Sequence, residues 1–340
     1  MKAALFQRGG KFVLAERPDP VPGPGEVVVA MAYCGICGSD VHMVERGMLP
    51  SGAVIGHEQA GTIAAVGPDV TGWAEGDPVA VMPLDPCGTC AFCRRGDTQQ
   101  CSDGLKRSYG LGANPGGFAQ FMRVKTSMLY RIPDGLDLQT AALNEPWAVA
   151  RRGVNMLDLD PDAPVLVMGA GPIGLLSLYA LKRKGARHVF VSEPDPFRAE
   201  RARAAGAIRV IDPKAAKPIV VILKEAGRPP EAVIDCAGTE ASTMEAVSTV
   251  SGGGTVLVLG IHLGKIGILP IVCSAKEVAI KFSFGYTAVE FGESLLLLAQ
   301  GAVNPQVLVS AILPLRQLDE AFHLLKAPGH GKILIDCREV

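Results

Sequence analysis

The hydrophobic pattern divides the chain into two parts of different character. Up to about residue 145, short apolar or β-branched runs alternate with turns rich in Pro and Gly, as at Val27–Val29, Gly61–Gly67 and Asp77–Val81. Runs of this length between such turns are typical of β-strands. The first part is therefore predicted to be mainly β-structure, with a further strand at Gly117–Phe121.

After about residue 145 the pattern changes to strands that alternate with helical segments. Helices are indicated at Leu175–Lys184 and Pro196–Ala205, and buried strands at Val165–Met168, His188–Ser192, Ala232–Cys236 and Thr255–Leu259. Such alternation predicts βαβ units on a parallel sheet. The pattern fades near Phe284. On pattern alone the remaining tail, which ends in a predicted strand at Lys332–Asp336, fits either part.

Length and composition favour two domains and a small-molecule partner. The chain has 340 residues, more than one typical domain. A formal net charge of −1 leaves no broad basic field for nucleic acid or an anionic membrane, so neither is expected as a partner.

The N-terminal residues lack the apolar segment of a signal peptide, and the apolar run Val165–Leu181 is interrupted by glycines and a proline. A cytoplasmic protein is therefore expected.

Four of the nine cysteines lie close together in a loop. The spacing C-x2-C-x2-C-x7-C joins Cys87, Cys90, Cys93 and Cys101. Four thiolates at such spacing fit a closed tetrahedral zinc site, which stabilises a loop that has no core of its own. An iron–sulfur cluster and unmetallated cysteines are the alternatives, although ferredoxins use a shorter last spacer followed by proline. A nucleic-acid-binding zinc ribbon would rest only on Arg94 and Arg95.

A glycine-rich loop follows the first strand of the second part. It consists of Gly169, Ala170, Gly171, Pro172, Ile173 and Gly174. In a strand-loop-helix context, glycines at these positions allow close approach of a pyrophosphate to a helix N-terminus. Glu193 ends the next strand at the distance expected for a ribose-binding acid, which favours NAD over NADP. The alternative for Glu193 is a solvated charge, and Arg198 lies near enough in sequence to leave some use of NADP open.

Two short motifs in the first part contain side chains that bind metals. Residues 37–42 begin with Cys37, and residues 56–58 contain His57 and Glu58. A thiolate, an imidazole and a carboxylate are ligands of catalytic zinc sites, which keep one position for water or substrate. A catalytic zinc is therefore predicted here, in addition to the structural zinc of the four cysteines.

Together these motifs resemble the medium-chain, zinc-dependent alcohol dehydrogenase family over the whole chain. The segment from Gly56 to Gly61, with Gly67 beyond it, is similar to the zinc signature of that family. The resemblance implies an α/β protein with a β-rich, chaperonin-10-like catalytic domain at 1–147, which includes the four-cysteine lobe at 85–103. It also implies a doubly wound Rossmann NAD-binding domain at 148–284 and a return to the catalytic domain at 285–340.

Residues 35–42 look most like the polyol, butanediol and threonine dehydrogenase branch. By similarity, Cys37 and His57 are ligands of the catalytic zinc. Glu145 is the residue that this branch places where classical alcohol dehydrogenases have a cysteine ligand. Glu58 either binds the zinc directly or alternates with Glu145 and water. Ser39 and His42 resemble the catalytic proton relay of the family, whose alternatives are a turn hydroxyl and a surface histidine.

The expected activity is reversible oxidation of a secondary alcohol, diol or polyol to the ketone with NAD. Cys236, Gly260 and Ile261 follow later strands and are expected near the nicotinamide. The apolar run Ile261–Val272 is expected to pair edge to edge in a homodimer or homotetramer, as in the dimers of the family. The rival interpretations are a zinc-free quinone or enoyl reductase and a non-catalytic protein that senses nucleotides or binds nucleic acid through the four-cysteine lobe.

Overall fold

The computed structural model describes residues 1–112 and 114–340, and these residues form three sheets. The strands of the first part are β1 (Lys2–Gln7), β2 (Lys11–Glu16), β3 (Glu26–Gly35), β4 (Glu58–Val66), β5 (Pro78–Val81), β6 (Phe121–Lys125) and β7 (Leu129–Arg131). Its helices are α1 (Gly38–Glu45), α2 (Ala91–Arg94), α3 (Gly104–Arg107), α4 (Leu138–Ala141) and α5 (Asn144–Asn155). Short 3-10 helices cover Thr98–Gln100 and Thr126–Met128. β1 and β2 form an antiparallel pair of their own.

The second part is a six-stranded parallel sheet covered by helices. Its strands are β8 (Pro164–Met168), β9 (His188–Ser192), β10 (Arg209–Ile211), β11 (Ala232–Asp235), β12 (Thr255–Val258) and β13 (Ala279–Phe282). Its helices are α6 (Pro172–Arg183), α7 (Pro196–Ala204), α8 (Pro218–Ala226), α9 (Glu240–Thr249) and α10 (Pro270–Lys276). The order β10-β9-β8-β11-β12-β13 is the doubly wound Rossmann arrangement. Such sheets bind ligands at the switch point of the strand order, which here lies between β8 and β11.

The chain then returns to the first sheet. The last elements are α11 (Ala288–Ala299), α12 (Pro305–Leu308), β14 (Val309–Pro314), the 3-10 helix Leu315–Gln317, α13 (Leu318–Leu324) and β15 (Lys332–Asp336). β15 pairs antiparallel with β3, with Ile335 opposite Cys34. The sheet order is β14-β15-β3-β4-β5-β7, with β6 also paired to β3. The strand pairing thus places the tail, which the sequence pattern left unassigned, in the N-terminal sheet.

The ends of β3 and β4 bring the two metal-binding motifs together. The two strands are antiparallel, with Gly35 at the end of β3 opposite Glu58 at the start of β4. Cys37 and His57 therefore leave the sheet at the same edge. A side chain at position 35 would collide with the Glu58 carboxylate, so the close approach requires glycine.

Two expectations about individual elements need correction. Residues 261–269 are not a strand, and Pro270 starts α10, because proline lacks the N–H of a sheet ladder and suits the first turn of a helix. The outer strand of the parallel sheet is instead β13. The strand predicted at Gly117–Phe121 begins only at Phe121, because the backbone groups of residues 117 and 118 bond to residues 4, 55 and 56 and not to β3. Within the described ranges, no helix is long and apolar enough to cross a bilayer.

Candidate active site

Three predicted metal-binding side chains converge at the edge formed by β3 and β4. One ligand atom each of Cys37, His57 and Glu58 lie within 4.8 Å of one another. His57 is 4% exposed and Glu58 is fully buried, whereas Cys37 is partly exposed. A partly exposed thiol beside a buried imidazole suits a zinc ion that must also reach a substrate.

Asp40, which was not among the predicted site residues, lies directly against His57. Its carboxylate Oδ1 lies 3.2 Å from His57 Nδ1, and its Oδ2 accepts a hydrogen bond from the backbone N–H of Cys37 at 2.9 Å. Burial opposes a charge on His57, but the Asp40 carboxylate outweighs it and raises the pKa of the imidazole well above its usual value. Because Nδ1 faces Asp40, Nε2 is left for a metal.

Lys332, at the start of β15, is a second unpredicted component of the site. Its ammonium donates to both carboxylate oxygens of Glu58 at 2.6 Å and to the carbonyl of Ile36 at 2.9 Å. Both side chains are buried. Burial lowers the pKa of Lys332, but Glu58 and Cys37 more than compensate, and the net shift is upward. Glu58 is thus held by a cation of the protein itself, which competes with any metal for its oxygens.

Glu145 does not belong to the three-residue cluster. It is the second residue of α5 and lies beside the cluster, where its carboxyl interacts with His57 and Glu58. Burial raises the pKa of Glu145 to about 7, His57 lowers it and Glu58 raises it. Tyr286 is buried next to this carboxyl, and burial and Glu145 raise the pKa of its phenol well above the usual value. Of the two candidate glutamates, only Glu58 joins Cys37 and His57 in the cluster.

Ser39 and His42 lie on α1, directly after Cys37. Ser39 Oγ is 3.5 Å from Nε2 of His57, the nitrogen that faces the potential metal. His42 is three residues further along the helix, on the same side, and is partly exposed. Ser39 therefore lies next to His57, and His42 lies on the same helix at a partly exposed position.

The four cysteines form a second cluster around α2. Their sulfur atoms all lie within 4.8 Å of one another. Cys87 Sγ and Cys93 Sγ are 3.9 Å apart, and roughly 3.8 Å is the separation expected for two sulfurs on a tetrahedral zinc. The backbone N–H groups of Cys93 and Ser102 lower the pKa of Cys90 to about 6. The donor set and its geometry fit a structural zinc.

The glycine-rich loop connects β8 to α6 at the ligand-binding edge of the parallel sheet. Gly169 has a φ of 91°, a conformation that favours glycine. A side chain at Gly174 would collide with the carbonyl oxygen of Gly169. Gly171 precedes α6 as its N-terminal cap. The helix begins at Pro172, three residues before the predicted start, so Ile173 lies in its first turn.

Glu193 and Arg198 border the same loop. One carboxylate oxygen of Glu193 accepts a hydrogen bond from the N–H of Ala170 at 2.7 Å, and the other accepts from the N–H of Asp195 at 2.8 Å. The carboxylate is therefore fixed at the loop and is not a solvated charge. Arg198 Nε donates to the carbonyl of His330 at 3.2 Å, which directs the guanidinium toward the C-terminal tail.

The residues expected near a nicotinamide follow β11 and β12. Cys236 Sγ is 3.7 Å from Ser177 Oγ of α6, and burial raises the pKa of Cys236 to about 12. Gly260 packs directly on Gly238, where a side chain at position 260 would collide with the backbone. Ile261 is 40% exposed. These residues lie at the carboxyl edge of the sheet, on the side of the crevice expected for the nicotinamide.

Comparison with known proteins identifies the family. Residues 23–134 match the model of the alcohol dehydrogenase GroES-like domain, and residues 172–300 match that of the zinc-binding dehydrogenases. Sorbitol dehydrogenase of Gallus gallus is 31% identical over 346 residues, covering 98% of this chain and 96% of that protein. The chain belongs to the medium-chain zinc-dependent alcohol dehydrogenase family.

Solved structures of this family superpose on nearly the whole chain. A zinc-binding dehydrogenase from Sinorhizobium meliloti 1021 bound to NADP matches with a TM-score of 0.91 and 28% identity, covering 98% of each chain. The 2R,3R-butanediol dehydrogenase of Bacillus subtilis matches with a TM-score of 0.88 and 28% identity, covering 98% of this chain and 99% of the other. These matches confirm the predicted combination of a GroES-like domain and a Rossmann-type domain.

Proposed function

We propose that this protein is a zinc-dependent dehydrogenase that interconverts a secondary alcohol, vicinal diol or polyol and the corresponding ketone, with NAD as the hydride acceptor. The observation that carries the proposal is the convergence of Cys37, His57 and Glu58 within 4.8 Å. Similarity to sorbitol and butanediol dehydrogenases supports the substrate class.

Cys37 and His57 would hold the catalytic zinc, with either Glu58 or Glu145 as a further ligand. When bound, zinc supplies a Lewis acid for the substrate oxygen. Asp40 orients the imidazole, and Lys332 neutralises Glu58. Ser39 would accept the hydroxyl proton of the substrate while it gives up its own hydroxyl proton toward His42, which would release a proton to solvent. The four cysteines would hold a second, structural zinc.

Replacing Asp40 by Asn should weaken zinc binding at this site by about 10- to 100-fold, because the amide orients the imidazole of His57 less firmly than a carboxylate does. Competition with a chromophoric chelator measures the affinity. Asp69→Asn is a matched control, because Asp69 is exposed and has a positive φ that asparagine also tolerates. Equal zinc affinity in the wild type and Asp40→Asn would contradict this role.

We also propose that NAD is preferred over NADP, although one structural relative was solved with NADP. The Glu193 carboxylate lies beside the glycine-rich loop, where it would accept hydrogen bonds from ribose hydroxyls and repel a 2′-phosphate. Arg198 is turned toward His330, so it does not offset this repulsion. The ratio of kcat/KM for the two cofactors tests the preference.

Gly174→Ala should raise the Kd of NADH about tenfold or more, since the added methyl group displaces the Gly169 carbonyl and widens the loop that would hold the pyrophosphate. Fluorescence titration with NADH measures the change. Gly252→Ala provides the control, because its methyl group would meet only an ordinary contact with the carbonyl of Lys276. An unchanged Kd in folded Gly174→Ala would exclude this part of the cofactor site.

The assembly is proposed to be a homodimer or homotetramer in the cytoplasm. β13 is an outer strand of the parallel sheet, and Phe282 on this strand is 64% exposed. Leu269 and Ile271, in the neighbouring segment, are also exposed. An apolar outer strand is suited to pairing with a second copy.

Metal analysis combined with an NADH screen tests the proposed function. Purified enzyme should contain two zinc ions per chain and produce NADH from at least one compound in a panel of polyols, diols, amino alcohols and cyclic alcohols. Absence of zinc would support the zinc-free reductase instead. One zinc per chain that survives Cys37→Ser, with no alcohol-dependent NADH, would support a non-catalytic protein.

A further inference from the structure

A cavity of about 210 Å³ lies away from the candidate active site, between α5, α6 and α11. Its main lining residues are Trp147, Arg151, Asn155, Arg183, Lys184 and Leu297. Arg183 ends α6, whose first turn carries the glycine-rich loop. The helix has 12 residues, so its two ends are about 18 Å apart. The cavity is therefore separate from the dinucleotide loop.

The cavity is rich in positive charge that nearby acids do not balance. Arg151 pairs with Glu293 at 2.6 Å. Lys184 donates only to backbone carbonyls at the end of α5 and just beyond, those of residues 154, 155 and 157. In the described part of the chain, Arg183 has neither an ion-pair nor a hydrogen-bond partner. Arg183 and Lys184 are exposed at the rim. Three cations thus border the cavity, with two acids nearby, namely Glu293 bound to Arg151 and Asp158 close to Lys184.

Other charges near the cavity do not cancel this excess. Lys281, which donates to the carbonyl of Met156 at 2.8 Å, adds a further cation on the side of Lys184. Burial lowers the pKa of Lys184, Asp158 raises it and Lys281 lowers it. A concave surface with an excess of one charge attracts ligands of the opposite charge.

Trp147 contributes to the wall of the cavity. The residue is fully buried, and its indole N–H has no hydrogen-bond partner among residues 1–112 and 114–340. Asn155 adds an amide to the same wall.

We propose that this cavity binds a small organic anion through a carboxylate or phosphate group. Its volume of about 210 Å³ suits a compact anion. Arg183 supplies the unpaired charge that the anion neutralises, while Arg151 and Lys184 provide the positive field. The site is independent of the proposed dehydrogenase reaction, because it uses none of the metal or cofactor residues.

Tryptophan fluorescence gives a direct test. The chain has two tryptophans, so Trp73→Phe leaves Trp147 as the only one. In this variant, without cofactor, titration with succinate or inorganic phosphate at constant ionic strength should produce a saturable change in emission, and glycerol should not. A response to succinate alone or to phosphate alone would assign the recognised group. Absence of a saturable response to either anion would overturn the proposal.

A matched pair of arginine variants locates the binding. Arg183→Gln in the Trp73→Phe background should weaken anion binding about tenfold, because it removes the unpaired charge. Arg8→Gln, a change of equal charge at an exposed turn of the N-terminal lobe, should leave it unchanged. Circular dichroism verifies that both variants are folded. Equal affinity in the two variants would place the anion elsewhere and refute the assignment.

Discussion

Replacement of Lys332 by methionine should lower the free energy of unfolding of the metal-free protein by about 3–5 kcal/mol. Lys332 and Glu58 form a buried ion pair, with both carboxylate oxygens 2.6 Å from the ammonium. Removing one partner leaves a buried carboxylate without compensation, and this loss is larger than the stability that the intact pair contributes. Urea denaturation followed by far-UV circular dichroism measures the change.

Two further variants distinguish the effect of the charge at position 332 on stability from the effect of the shape of the side chain. Lys332→Arg keeps the positive charge and should lose less stability than Lys332→Met. The double variant Glu58→Gln/Lys332→Met removes both charges and should recover part of the loss. Added zinc should also reduce the deficit of Lys332→Met, because a metal cation can compensate the Glu58 carboxylate. A loss below about 1 kcal/mol in Lys332→Met would mean that the carboxylate is solvated or protonated, contrary to the structure.

Ser39→Ala should reduce kcat by about 10²-fold or more if Ser39 takes the proton of the substrate hydroxyl, the size of effect usual for general acid–base groups. The hydroxyl lies 3.5 Å from His57 Nε2, next to the proposed metal position. Stopped-flow measurement of NADH formation gives the rate. Zinc content and the Kd of NADH should remain at wild-type values, since Ser39 binds neither in this proposal.

The outer end of the relay is tested by His42→Ala. This variant should lose activity mainly near neutral pH, and high concentrations of a small buffer base should restore part of it. Ser51→Ala, at an exposed loop where the hydroxyl donates to Gln7, serves as the surface control for Ser39→Ala. Turnover equal to wild type in both Ser39→Ala and His42→Ala would remove the relay from the mechanism.

Local sequence patterns predict those parts of the fold that depend on neighbouring residues. The bounds of β9 and β15 agree with the predicted strands, because each is a compact apolar run with clear polar or glycine boundaries. The four-cysteine cluster was predictable for a similar reason, since its ligands lie within one short loop. The start of α6 was placed too late, because Pro172 was assigned to the loop although proline favours the first turn of a helix.

The site was less predictable, because several of its contacts join distant parts of the chain. Lys332 follows Glu58 by 274 residues, and no local pattern links them. One signal was present, since a lysine within a buried strand requires an anionic partner. Asp40 was also visible within its motif, although only the structure places it on His57. The choice between Glu58 and Glu145 depends on side-chain positions that sequence spacing does not determine.

The ion pair between Glu58 and Lys332 also imposes an order of events during protein synthesis. The ribosome adds about 5–20 residues per second, and 274 residues separate the two partners. Glu58 therefore emerges roughly 15–55 s before Lys332. During this interval Cys37, His57 and Glu58 are available on the nascent chain without their internal cation. The ion pair therefore forms only after β15 has been synthesised, and the edge of the sheet that carries Glu58 is completed by the last strand of the chain.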